Sequence, residues 1–221
     1  MPDHLDLAVY ARNFGSRPVP ALLQQLLDFQ NAVDGSNYSQ AISLACIQPD
    51  DSQLAYYGDH RHQLIAFALC PGNGSIYLLW DNANNPDIEQ WPVVVFDTEG
   101  GYTIIGRNLA EFLSTTWCDR PTFGLWANPF LGGYIPPEEG AQEEACESTH
   151  AGTFKLFLSE LGLDTSKNPD AVVAQAQQAL LTSLLRWHQP FEIHHQQHFS
   201  DDATAPWTRE PDHRDAGALD M

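Results

Sequence analysis

Three histidines near the end of the chain stand in Ile193-His194-His195-Gln196-Gln197-His198, with His188 close by. On a helix, His194 and His198 share one face, the spacing that sets two imidazoles on one zinc ion. A catalytic zinc also needs a third ligand and a general base beside it. Here Glu192 precedes the histidines without the HExxH order, and Pro190 is expected to end the helix that leads to them. The simpler reading is a solvated polar stretch, with no metal and no cofactor. Cys146 and His150 have the types of a nucleophile and its base, but Glu138, Glu139, Glu143, Glu144 and Glu147 crowd the same segment. Negative charge around a thiol keeps it protonated, the wrong direction for a nucleophile. No G-x-S-x-G elbow occurs, Gly72-Asn73-Gly74 lacks the Gly-Lys-Ser/Thr of a phosphate loop, and Asp97-Thr98-Glu99-Gly100 misses the spacing of a calcium loop. No catalytic residue is expected.

The elements that would position such groups are legible from period and turn chemistry. Residues 18–33 read as a helix: Pro18 and Pro20 suit its start, Val19, Leu22, Leu23, Leu26, Leu27 and Val33 form one stripe, and Asp34-Gly35-Ser36-Asn37 ends it. Ile42 to Ile47 reads as a strand. Leu64 to Cys70 is a continuous apolar run, the pattern of a strand buried on both faces. Pro71 to Ser75 is a hairpin turn, Ile76 to Trp80 the returning strand, Asp81 to Gln90 a polar loop, and Pro92 to Phe96 the next strand. Asp97 to Gly101 turns the chain into a strand at Tyr102 to Ile105. Short turns make these strands antiparallel neighbours. Asn108 can cap a short helix, with Glu111 reaching back to the Asn108 N–H as in a capping box. Two helices close the ordered part: Phe154 to Leu161, stopped by Gly162, and one that starts at Asn168-Pro169 and is expected to stop at Pro190.

The charge is lopsided: 29 acidic residues face 10 basic ones over 221 residues, a formal net charge of −19. No Lys or Arg occurs between Arg61 and Arg107, nor between Arg120 and Lys155, so the acidity belongs to the folded part. Such a chain repels phosphate backbones and anionic lipid and attracts basic surfaces, so neither nucleic acid nor membrane is an expected partner. Solubility alone also accounts for many acidic surfaces. The first residues lack the basic start and apolar run of a secretion signal, and no apolar stretch nears the ~18 residues of a membrane span. Cys46, Cys70, Cys118 and Cys146 are scattered without a CxxC and read as reduced thiols. A cytoplasmic protein is expected.

From Tyr57 to Leu113 the chain resembles the SUKH superfamily, which includes the fungal cell-wall assembly regulator and many bacterial immunity proteins. The match rests on Phe67 through Gly74-Ser75-Ile76-Tyr77-Leu78-Leu79-Trp80, on Pro92-Val93-Val94-Val95-Phe96-Asp97-Thr98-Glu99-Gly100, and on Asn108-Leu109-Ala110-Glu111-Phe112-Leu113. With the N-terminal helix it covers residues 18–115; the longer, acidic remainder departs from the short members. The resemblance implies an α+β fold with a mixed, mostly antiparallel sheet flanked by helices, and binding as the activity. The expected organisation is a core over 1–118, an acidic Gly/Pro-rich connection over 119–150, a helical C-terminal extension packed on the core over 151–199, and an acidic, flexible tail over 200–221.

The function expected is non-enzymatic: an immunity protein whose carboxylates capture a basic toxin domain, such as a nuclease with a cationic cleft. The candidate contacts are Asp81, Asp87, Glu89, Asp97 and Glu99 on or beside two loops at the sheet edge. Trp91 is a further candidate as an exposed anchor, against its place in the core. Glu138, Glu139, Glu143 and Glu144 form a second patch. The alternatives are an intracellular regulatory or scaffold protein, and a metal-dependent enzyme using the histidines.

Overall fold

A strand with no polar face, such as Leu64-Ile65-Ala66-Phe67-Ala68-Leu69, must be covered on both sides. In the computed structural model, which describes residues 4–33, 38–47, 58–83, 85–96, 101–120 and 150–200, this run is the second strand of a five-stranded antiparallel sheet. The strands β1 (Ser43–Leu44), β2 (Leu64–Leu69), β3 (Ile76–Trp80), β4 (Val93–Phe96) and β5 (Tyr102–Gly106) lie side by side in chain order. With helices α1 (Leu7–Tyr10), α2 (Ala21–Ala32), α3 (Leu109–Leu113), α4 (Ala151–Glu160) and α5 (Pro169–Ser200), this is the α+β class expected. Every pairing among the described strands is antiparallel.

One sheet face carries Ile65, Tyr77, Leu79, Val93, Val95 and Ile105 into a cluster with Leu23, Leu26 and Leu27 of α2 and Phe112 of α3. Each of those leucines contributes about 2 kcal/mol by leaving water. The other face, with Leu78, Trp80, Val94 and Ile104, is buried as well. Phe154 and Leu158 of α4 and Val173 of α5 belong to the same cluster. The described residues up to 185 form one compact unit, and those from 186 to 200 belong to a second.

The strand expected over Ile42 to Ile47 shrinks to two residues, and side chains explain why. The buried Gln30 amide takes both backbone groups of Leu44, donating to its carbonyl at 3.0 Å and accepting from its N–H at 2.8 Å. Asn13 does the same one step on: Nδ2 donates to the Ala45 carbonyl at 2.7 Å and Oδ1 accepts from the Ile47 N–H at 2.9 Å. The chain thus satisfies its backbone groups without continuing along β2. At Phe67, where β2 slips register against β3, the Tyr10 hydroxyl donates to the Phe67 carbonyl at 3.0 Å. Full burial pushes the Tyr10 phenol well above its ordinary range, with Tyr38 adding to it.

Helix ends show where local chemistry was sufficient. Asn108 Oδ1 accepts from the Glu111 N–H at 2.8 Å, as a cap should. The return contact of the expected capping box is shifted by one residue: Glu111 Oε2 accepts from the Arg107 N–H at 2.7 Å, because the Arg107 guanidinium also binds that carboxylate. Burial pushes the Glu111 carboxyl up, but these hydrogen bonds and the Arg107 charge, with Lys167 adding, hold it below the usual carboxylate range. At the end of α4, Gly162 adopts φ +76°. The N–H groups of Gly162 and Leu163 donate to Ser159 and Leu158 at 3.0 and 3.1 Å, a Schellman closure. Asn168 Oδ1 accepts from the Asp170 N–H at 2.9 Å and so caps α5.

Pro190 does not end α5; it lies inside a helix that continues to Ser200. Its ring removes one hydrogen bond, to the Arg186 carbonyl four residues back, and costs about 3 kcal/mol. That loss is confined to one turn, so helical bonding resumes beyond it. Two short N-terminal elements, α1 capped by Asp6 and the 3-10 turn Ala11–Phe14, carry no strong sequence signal. They bring Tyr10 and Phe14 into the core.

Candidate functional site

The connection from β3 to β4 positions four of the candidate residues, and each has an internal partner. Asp81 Oδ1 accepts from the Ala83 N–H at 3.0 Å, closing a turn in which Ala83 takes φ +61°. Its Oδ2 lies 3.9 Å from Arg17 Nη2, with both side chains partly exposed. Asp87 Oδ1 accepts from the Glu89 N–H at 3.0 Å and caps the 3-10 turn Ile88–Gln90, while the residue itself faces solvent. Glu89 is half-buried, and its Oε1 accepts from the Ala21 N–H at 2.7 Å. That contact places a carboxylate on the first N–H of α2, whose N-cap is Pro20 and offers no side-chain acceptor.

Trp91 belongs to the core. It is 4% exposed, packs in the main apolar cluster, and its Nε1 donates to the Asn85 carbonyl at 2.8 Å. The Arg17 guanidinium sits over its ring, 5.3 Å from the centroid. The residue is a support for the loop rather than an exposed anchor. The connection is therefore a stiffened rim: Trp91 beneath, Arg17 across it, Asp81 and Glu89 tied back, and Asp87 turned outward.

Asp97, Glu99, Glu138, Glu139, Glu143, Glu144 and Cys146 lie outside the described residues, as do the side chains of His194, His195 and His198. The acidic connection expected over 119–150 lies outside them beyond Arg120, up to His150. The tail lies outside them from Asp201. His150 precedes α4 and its carbonyl accepts from the Phe154 N–H at 2.8 Å. His188 is buried, with its ring 6.4 Å from that of Trp187. Among the described residues no group of three His, Cys, Asp or Glu side chains could hold a metal ion. Among the described residues, Cys46, Cys70 and Cys118 form no disulfide with one another, and the Cys70 Sγ donates to the Gln40 carbonyl at 3.4 Å. No helix among the described residues is long and apolar enough to cross a membrane.

Two features escaped the sequence. Asp119 is buried at φ +50° and its Oδ1 accepts from the Gln40 N–H at 2.7 Å, a contact between residues far apart in the chain. Arg17, Arg61 and His62 line one cleft beside β2. The available signal was that Arg61 borders the long cation-free stretch. No family model, curated protein or solved structure matches the chain.

Proposed function

We propose that this chain is a non-enzymatic, acidic protein-binding module of the SUKH kind, working in the cytoplasm as an immunity protein against a basic toxin domain. The observation that carries this reading is the net charge of −19 combined with the cation-free stretch from Arg61 to Arg107. That stretch includes the stiffened rim on which Asp87 is exposed. Carboxylates held in place by capping contacts can meet a cationic cleft with little ordering on binding, and the surrounding field speeds the encounter. Asp87 is the exposed contact of the rim; Asp81 and Glu89 add charge while holding the loop.

The test is capture of the tagged chain from its native cells, eluted along a salt gradient and identified by mass spectrometry. A single basic, toxin-like protein released at high salt is the expected result. A collection of unrelated proteins, or a partner whose release ignores salt, would overturn the reading.

A further inference from the structure

The acidic rim carries a cation of its own. Arg17 stands in the run Gly15-Ser16-Arg17-Pro18, in which every residue is exposed. Its guanidinium rests over the Trp91 ring, 5.3 Å from the centroid, and its Nη2 lies 3.9 Å from Asp81 Oδ2. That distance is too long for a hydrogen bond, so the ion pair is held by charge alone. The two side chains are 40% and 27% exposed, so water screens the attraction. Asp81 Oδ1 accepts from the Ala83 N–H at 3.0 Å, which leaves Oδ2 turned to the guanidinium. The loop has other supports for its shape. Asp87 Oδ1 accepts from the Glu89 N–H at 3.0 Å, Glu89 from the Ala21 N–H at 2.7 Å, and the Trp91 indole donates to the Asn85 carbonyl at 2.8 Å. What Arg17 adds is a positive charge against Asp81, on an aromatic face that suits a guanidinium.

We propose that Arg17 is an internal placeholder, masking Asp81 until an arginine side chain of the partner protein displaces it. The inference rests on the reading of the rim as the contact with a basic partner. An incoming guanidinium makes the contact that Arg17 lacks, donating to Asp81 Oδ2 at hydrogen-bond distance. Asp87, exposed on the same connection, takes further positive charge. The displaced Arg17 side chain passes into solvent, beside exposed neighbours, and the loop keeps the hydrogen bonds that shape it. Because one cation replaces another, charge by itself gains little. Geometry decides: a planar fork fits between ring and carboxylate, and a compact ammonium does not. Arg17 thus weakens the capture of cations in general and leaves the rim selective for arginine.

The experiment titrates the full chain with a tetra-arginine peptide and follows two NMR reporters. One is the Ala83 N–H, which is bonded to Asp81; the other is the Trp91 indole N–H. Arg17→Met keeps an apolar stem over the ring and removes the charge. Peptide affinity at both reporters should then rise about threefold, the size of an exposed ion pair. Asp81→Asn keeps an acceptor for the Ala83 N–H and should erase the gain from Arg17→Met. Tetra-lysine should bind the parent chain more weakly than tetra-arginine at the same reporters. Unchanged or lowered affinity in Arg17→Met would overturn the proposal and make Arg17 a support of the loop, with the rim still a contact for cations. A gain that survives Asp81→Asn would also overturn it, since the cause would be overall charge. Equal binding of tetra-lysine would remove the selection for arginine. If neither reporter moves in any variant, the rim takes no cation, and the reading of the rim falls together with the placeholder.

Discussion

Glu89 and Asp87 sit two residues apart and divide structural from binding roles. Glu89 caps α2, so Glu89→Gln should lower stability by about 0.5–1 kcal/mol in urea unfolding, through loss of a charge at a helix N-terminus. Asp87→Asn keeps an acceptor for the Glu89 N–H, so stability should stay within about 0.5 kcal/mol while affinity for a basic partner falls. An Asp87→Asn variant that binds as tightly as the parent would remove Asp87 from the contact. Glu111 sets a pH dependence of known sign. Its folded carboxyl lies below the unfolded value, so its contribution is present above the unfolded value and is lost as pH falls through the folded one. Arg107 is half-exposed, so solvent screening limits the effect to under about 1 kcal/mol. Unfolding curves taken from neutral to acid pH should show this loss, and Glu111→Gln should flatten it. The chemistry of these carboxylates was plain in the sequence, but their partners were not. Nothing local to Glu89 announces Ala21, and nothing local to Trp91 announces Arg17.

The elements were legible wherever their cause was short-ranged. The apolar runs of β2 and β3, the Asn108 and Asn168 caps and the Gly162 stop all follow from neighbours within a few residues. Gly162→Ala should cost about 1–2 kcal/mol from its left-handed backbone alone, since open space surrounds the position. Gly106 carries a different constraint: an added Cβ would meet Phe112 at 2.9 Å at the end of β5. Gly106→Ala should destabilise by about 1–3 kcal/mol by forcing α3 away from the sheet, measured as a lowered urea midpoint with unchanged slope. Two elements departed from their local signals. β1 stops early because Gln30 and Asn13 bind its backbone, and α5 outlasts Pro190 because the helix loses only one hydrogen bond there.

For the whole molecule, charge is the property with the widest reach. Binding of a basic partner should weaken steeply between about 50 and 200 mM salt if it is steered by this field, which rate measurements at several ionic strengths would show mainly in association. The sequence by itself determined the net charge, the cation-free stretch and the antiparallel succession of β2 to β5, because composition and turn chemistry act over short distances, while the α+β class was what the SUKH resemblance implied. Only the tertiary structure decided that Trp91 is core, that Glu89 caps a distant helix, and that Arg17 lies over Trp91 within reach of Asp81. Each of those outcomes depends on which remote segments share space once the apolar faces are buried. That is settled by packing among elements, and no local pattern encodes it.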